Sequence, residues 1–95
     1  MDEKRRIIRT EIKNYLLESQ DSVRCLVDKH VAFINGNINF NSKIKVSREE
    51  VETEIILLAE EGFFEKDENE YFKYYVKKDN ISKIIWGVSW KDVKQ

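Results

Sequence analysis

The stretch "SREEVETEIILLAEEGFFEKDENEYFKYYV", residues 47–76, changes its apolar period once, and that change decides the fold. Ser47 stands three residues before Glu50. This spacing makes a capping box: the hydroxyl accepts from the amide three residues on, and the glutamate reaches back. Val51, Ile55, Leu58 and Ala59 then recur at helical spacing, with Ile56 and Leu57 widening the stripe. Gly62 closes the helix, glycine being the usual residue just past a helix end. Beyond it the pattern becomes alternation: Phe72, Tyr74 and Val76 interleave with Lys73, Tyr75 and Lys77. That is a half-buried strand. Phe63-Phe64 opens its partner, and Glu68-Asn69 supply the turn, asparagine tolerating a left-handed backbone.

Working upstream, Ile8, Ile12, Tyr15 and Leu16 share one helical face, which predicts a helix over about 3–18. Val23, Leu26, Val27, Val31 and Ile34 predict a second over about 22–35, stopped at Asn35-Gly36. Ile38, Phe40, Ile44 and Val46 sit at even positions among polar residues, so 36–46 reads as a strand or small hairpin turning at Asn41-Ser42. Downstream, Ile84, Trp86, Val88 and Trp90 alternate as a further strand, preceded by a turn of helix at Asp79 to Lys83.

The order helix, helix, short extended segment, helix, β-hairpin resembles the winged helix-turn-helix superfamily over about residues 3–77. "VSREEVETEIILLAEEGFFEKDENEYFKYYV" carries the resemblance. It is similar to that family's run of capped helix, leucine-rich end, glycine, apolar strand, polar tip and returning strand. The implied fold class is α+β: three helices, a C-terminal β-hairpin wing and an additional C-terminal strand, in one domain over 1–95. The resemblance implies that the start of the third helix approaches the DNA major groove and the wing approaches the backbone. The matching positions here are Lys43, Lys45, Ser47 and Arg48 at the helix start. On the wing they are Lys66 and Lys73, with Lys77 and Lys78 beyond. The implied function is double-stranded DNA binding, as a transcriptional regulator or nucleoprotein component.

Charge sets a competing reading. The formal net charge is −1, but residues 1–46 carry +3, 47–70 carry −8 and 71–95 carry +4. Glu49, Glu50, Glu52 and Glu54 would lie within about 10 Å of phosphates if the third helix lay lengthwise in a groove, inside the physiological screening length. The alternative is a winged-helix adaptor or inhibitor whose acidic third helix docks on a basic protein. Interface candidates are Glu49, Glu52 and Glu54, the helix-1 cations Arg5 and Arg9, and the anchors Trp86 and Trp90. A homodimer through helix 1 or the terminal strand is expected.

Other classes find no support in the residues. The chain of 95 residues has no proline, one cysteine and one histidine. Cys25 has no partner for an intramolecular disulfide, and no cysteine-histidine cluster suits zinc. His30 lacks an orienting partner that would make it a base, and no glycine-rich phosphate loop appears. Neither enzyme activity nor a cofactor is expected. No signal-peptide core follows the N-terminus, and no apolar run approaches the roughly 20 residues of a membrane span. A reducing cytoplasmic setting is the expectation.

Overall fold

Four helices and three short strands follow one another in the computed structural model, which describes residues 2–19, 25–69 and 73–85. They are α1 (Glu3–Ser19), β1 (Cys25–Leu26), α2 (Asp28–Asn41), α3 (Arg48–Glu60), β2 (Phe64–Lys66), β3 (Tyr74–Val76) and α4 (Lys78–Ile85). The class is α+β, as expected, with one helix more than the sequence reading gave.

The ends of α3 follow the sequence chemistry. Ser47 Oγ accepts from the Glu50 amide at 3.2 Å, and Glu50 Oε1 accepts from the Ser47 amide at 2.9 Å. At the other end Gly62 has φ +90, a left-handed backbone that glycine adopts without strain. Its amide donates to the Ala59 carbonyl at 3.0 Å, and the Phe63 amide to the Leu58 carbonyl at 2.8 Å. These paired bonds are a Schellman motif, which satisfies two carbonyls of the last turn. α1 is capped by Asp2, whose Oδ1 accepts from the Arg5 amide at 2.8 Å.

β2 and β3 form an antiparallel hairpin with Phe64 opposite Val76 and Lys66 opposite Tyr74. β1 adds two residues to the other edge of β3, Cys25 opposite Tyr75 and Leu26 opposite Tyr74. Phe64, Tyr74 and Val76 point into the core, while Tyr75 faces out. They meet Ile8, Ile12 and Leu16 of α1, Val31, Ile34 and Ile38 of α2, and Val51, Ile55 and Leu58 of α3. Asn80 of α4 fastens that helix to the hairpin by donating to the Gly62 and Phe63 carbonyls at 3.2 and 3.0 Å.

Three sequence expectations are corrected. Helix 2 begins at Asp28, not near residue 22, because Cys25 and Leu26 pair with β3 instead. It then runs through Gly36 to Asn41, so 36–41 is helix and not strand. Val31, Ile34 and Ile38 form the buried stripe, whereas Phe40 lies on the opposite side and is 89 % exposed. Finally, the strand expected from Ile84 is replaced at its start by α4, where Ile81, Ile84 and Ile85 follow helical spacing. The rest of that strand, with Trp86 and Trp90, lies outside the described residues, as do Tyr71 and Phe72.

Candidate binding faces around helix α3

The connection from α2 to α3 is residues 42–47, and asparagines of α2 shape it. Asn39 bonds both backbone groups of Val46, donating to its carbonyl at 3.0 Å and accepting from its amide at 2.7 Å. Asn35 donates to the same carbonyl at 2.7 Å. The side chains thus do for one loop residue what a neighbouring strand would do, and Val46 stays buried without an orphaned polar group. Lys43 and Lys45 project from this latched loop into solvent. The Lys45 ammonium turns back to the Asn39 carbonyl at 2.6 Å.

Ser47 and Arg48, expected to meet DNA, are exposed but engaged. The Ser47 amide and hydroxyl are both used in the capping box. The Arg48 guanidinium lies 3.3 Å from Asp28 Oδ1 and 3.4 Å from Glu52 Oε1. The positive end of α3 already holds an anion, because the Glu50 carboxylate caps it. Lys4 sits 2.7 Å from that carboxylate. Its hydrogen bond, with those from Ser47, holds Glu50 below the usual carboxylate range. On the hairpin, Lys66 is exposed and Lys73 half-exposed, its ammonium 5.5 Å from the centre of the Tyr75 ring. Glu65, Asp67 and Glu68 stand beside them.

The outward stripe of α3 is Glu49, Thr53, Ile56 and Glu60, with Glu52 at its edge. Ile56 is 41 % exposed amid these acids. Arg48 is the helix's one Lys or Arg, and it pairs with Asp28 and Glu52. The face is therefore an acid-rimmed apolar spot.

Arg5, Arg9 and Glu54, named above as interface candidates, are instead turned onto one another inside the chain. Glu54 is 2 % exposed and Arg9 6 %. Arg5 donates through Nε and Nη2 to the two Glu54 oxygens, both at 3.0 Å. Arg9 donates through Nε to Glu54 Oε1, and through Nη1 and Nη2 to the Glu61 carboxylate. Burial pushes the Glu54 carboxyl up, but the bonds and charges of Arg5 and Arg9 outweigh it and hold it low. Arg9 holds Glu61 low as well, and the Arg9 guanidinium is raised in turn, first by Glu61. The sequence carries a cue to this clamp: position 54 falls among Val51, Ile55 and Leu58 on the inward side of α3.

A pH dependence follows. Glu50, Glu54 and Glu61 are all depressed, so the unfolded chain takes up protons before the folded one. Their contribution is complete above the unfolded value of 4.5 and is lost as pH falls through the folded values. His30 adds a shallower loss beginning near its unfolded value of 6.5. Burial first, then Lys29, pushes its pKa down, and its Nδ1 accepts from the Val27 amide at 3.1 Å. Melting curves from pH 8 to pH 3 should fall gently below about pH 6.5 and steeply below about pH 4.5. The steep part should shrink in Glu54→Gln, and the gentle part should vanish in His30→Gln. A steep fall of undiminished size in Glu54→Gln would deny the clamp this role.

Among the described residues no group of three or more His, Cys, Asp or Glu is placed to hold a metal ion, and no helix is long and apolar enough to cross a membrane. No protein-family model, curated protein or solved structure matches the chain significantly.

Proposed function

We propose that the chain is a winged-helix protein-interaction module in which the outer face of α3 docks on a basic surface of another protein. Support for the winged-helix likeness is the order α1-β1-α2-α3-β2-β3, the sheet order β1-β3-β2 and the connection 42–47. That connection is a turn of a few residues, as the family uses. The observation that carries the docking reading is the α3 stripe itself: Glu49, Glu52 and Glu60 around a part-exposed Ile56. A duplex laid there would meet carboxylates, whereas specific DNA readers are strongly positive across the contact face. An apolar spot with a charged rim suits a protein surface of the opposite sign.

DNA binding is the second reading, favoured by the exposed Lys43, Lys45 and Lys66 and the half-exposed Lys73 at the positions the family uses. Salt titration separates the two. Four phosphate contacts predict a log–log slope near −3.6 on duplex DNA, from roughly 0.9 per contact. The adaptor reading expects no measurable binding to mixed-sequence duplex at about 50 mM salt, well below the strength at which such contacts fade. It expects a short amphipathic lysine-rich peptide to shift the amide resonances of 49–60, and the triple variant Glu49→Lys/Glu52→Lys/Glu60→Lys to abolish those shifts. Duplex binding with the steep slope, left intact or strengthened by the triple variant, would overturn the adaptor reading.

A further inference from the structure

Gly36 stands inside α2 with no structural need for glycine. Its φ is not positive, in contrast to Gly62, and a Cβ built on it would meet nothing within 4 Å. Glycine in a helix interior is destabilising relative to alanine. What Gly36 does is follow Asn35, and of the three glycines in the chain it is the only one that follows an asparagine. Asparagine is a thermolabile residue, and its weak point is attack on its side-chain carbonyl carbon by the next backbone nitrogen. A side chain on that next residue crowds the attack, and glycine has none. Asn37 and Asn39, on the same helix, are followed by Ile38 and Phe40, whose side chains obstruct it.

We propose that Asn35 is a self-modification site that the α2–α3 corner holds in check, and whose reaction makes an opening of that corner permanent. The Gly36 nitrogen attacks Asn35 Cγ. The new bond closes an imide ring, the Cγ–Nδ2 bond breaks, and Nδ2 leaves as ammonia with the proton from the Gly36 nitrogen. Water then adds to either imide carbonyl, and the bond from that carbonyl to the ring nitrogen breaks. Opening at Cγ gives aspartate; opening at the main-chain carbonyl gives isoaspartate. The net exchange is amide and water for carboxylate and ammonium, with no change of oxidation state.

In the closed corner each reacting part is engaged. The Gly36 N–H is bound into the ladder of α2, and Asn35 has a helical ψ, which turns that nitrogen away from Cγ. The leaving Nδ2 donates to the Val46 carbonyl at 2.7 Å. Asn39 fastens the same loop residue by donating to its carbonyl at 3.0 Å and accepting from its amide at 2.7 Å. Gly36 itself is exposed and Asn35 half-buried, so water reaches the pair as soon as the helix frays there. After reaction the latch cannot re-form as it was. A carboxylate has no N–H for the Val46 carbonyl and sets an anionic oxygen against it. Isoaspartate also lengthens the backbone by a methylene and shifts Val31 and Ile34 out of register with Ile38, the buried stripe of α2.

The site is independent of the α3 docking reading, and either can fail alone. The whole chain is incubated in mildly alkaline buffer, folded and in urea, and peptide mapping with isoaspartate detection follows each asparagine. In urea, Asn35 should convert well ahead of Asn37 and Asn39. Folded, its rate should be at least about ten-fold slower, set by how often the corner opens. Asn39→Ala should raise the folded rate at least about five-fold, the effect of one net hydrogen bond. Gly36→Ala should suppress the reaction even in urea. The converted chain, separated by anion exchange, should have lost hydrogen-exchange protection at the Val46 amide and should not regain it after refolding. Asn35→Asp, made directly, should show the same loss, which needs no destabilised variant. Equal rates folded and in urea, no preference for Asn35 in urea, or a converted chain with Val46 as protected as before would each overturn the proposal.

Discussion

Glu54→Ala is expected to cost about 3–5 kcal/mol of folding stability, the usual loss when one member of a buried ion pair is removed. Arg9 would remain 6 % exposed with Glu61 as its one carboxylate. At roughly 4–8 °C per kcal/mol for a chain of this size, the melting temperature should drop by at least about 12 °C. The paired replacement Arg9→Met/Glu54→Leu should behave differently. Both buried charges leave together, and the surviving Arg5 and Glu61 side chains, 37 % and 55 % exposed, can rehydrate. Apolar replacement of a whole buried pair is often neutral or stabilising. Differential scanning calorimetry of the single and double variants checks this. A double variant as unstable as Glu54→Ala would show that the lost bonds, and not the stranded charge, set the cost.

Phe64→Ala should be comparably damaging, at about 3–5 kcal/mol, by a different route. Phe64 is 1 % exposed, with its ring centre 5.0 Å from Phe63 and 6.3 Å from Tyr74. Truncation opens a cavity where the hairpin meets α3, and its neighbours have little room to collapse. A domain of this size has on the order of 5–10 kcal/mol in all, so the variant should stand close to unfolding. Urea denaturation should show a much lower midpoint with an unchanged slope. A loss below about 1 kcal/mol would mean that the hairpin is not packed into the core as described.

Both losses fall in regions that the sequence discloses to different degrees. α3 was readable to the residue because each end carries local chemistry: the Ser47–Glu50 box and the left-handed Gly62. The hairpin was readable from its alternation. α2 was not. Gly36 resembles a stop, yet it lacks the positive φ of Gly62, and the helix runs past it. Ile38 and Phe40 resemble strand alternation, but two residues two apart fall on opposite sides of a helix, and this pair does so: one is buried and the other open to water. Asn35 and Asn39 look like turn formers, yet their partner is Val46, seven or more residues on. The glutamates of α3 looked alike in the sequence and divide in the fold. Glu54 turns inward to the arginines, Glu50 closes the cap against Lys4, Glu52 meets Arg48, and Glu49 faces solvent. Neighbours within one helix cannot report a partner that is 45 or 49 residues away.

Those separations also bear on how long the folded chain lasts. The α3 cap spans three residues and the Asn39–Val46 latch spans seven, so both can close within a short segment. The Arg5, Arg9, Glu54 and Glu61 contacts close loops of 45 to 52 residues, whose entropy must be lost before any bond is made. The α2–α3 corner is therefore expected to organise early, with α1 swinging onto it late. An interaction made after the rate-limiting step does little for the speed of folding and slows escape from the native state. Stopped-flow traces of Glu54→Ala should accordingly show much faster unfolding with nearly unchanged refolding. The arginine clamp would then act as a latch on the lifetime of the fold, and the asparagine-lined corner would set its pace of formation.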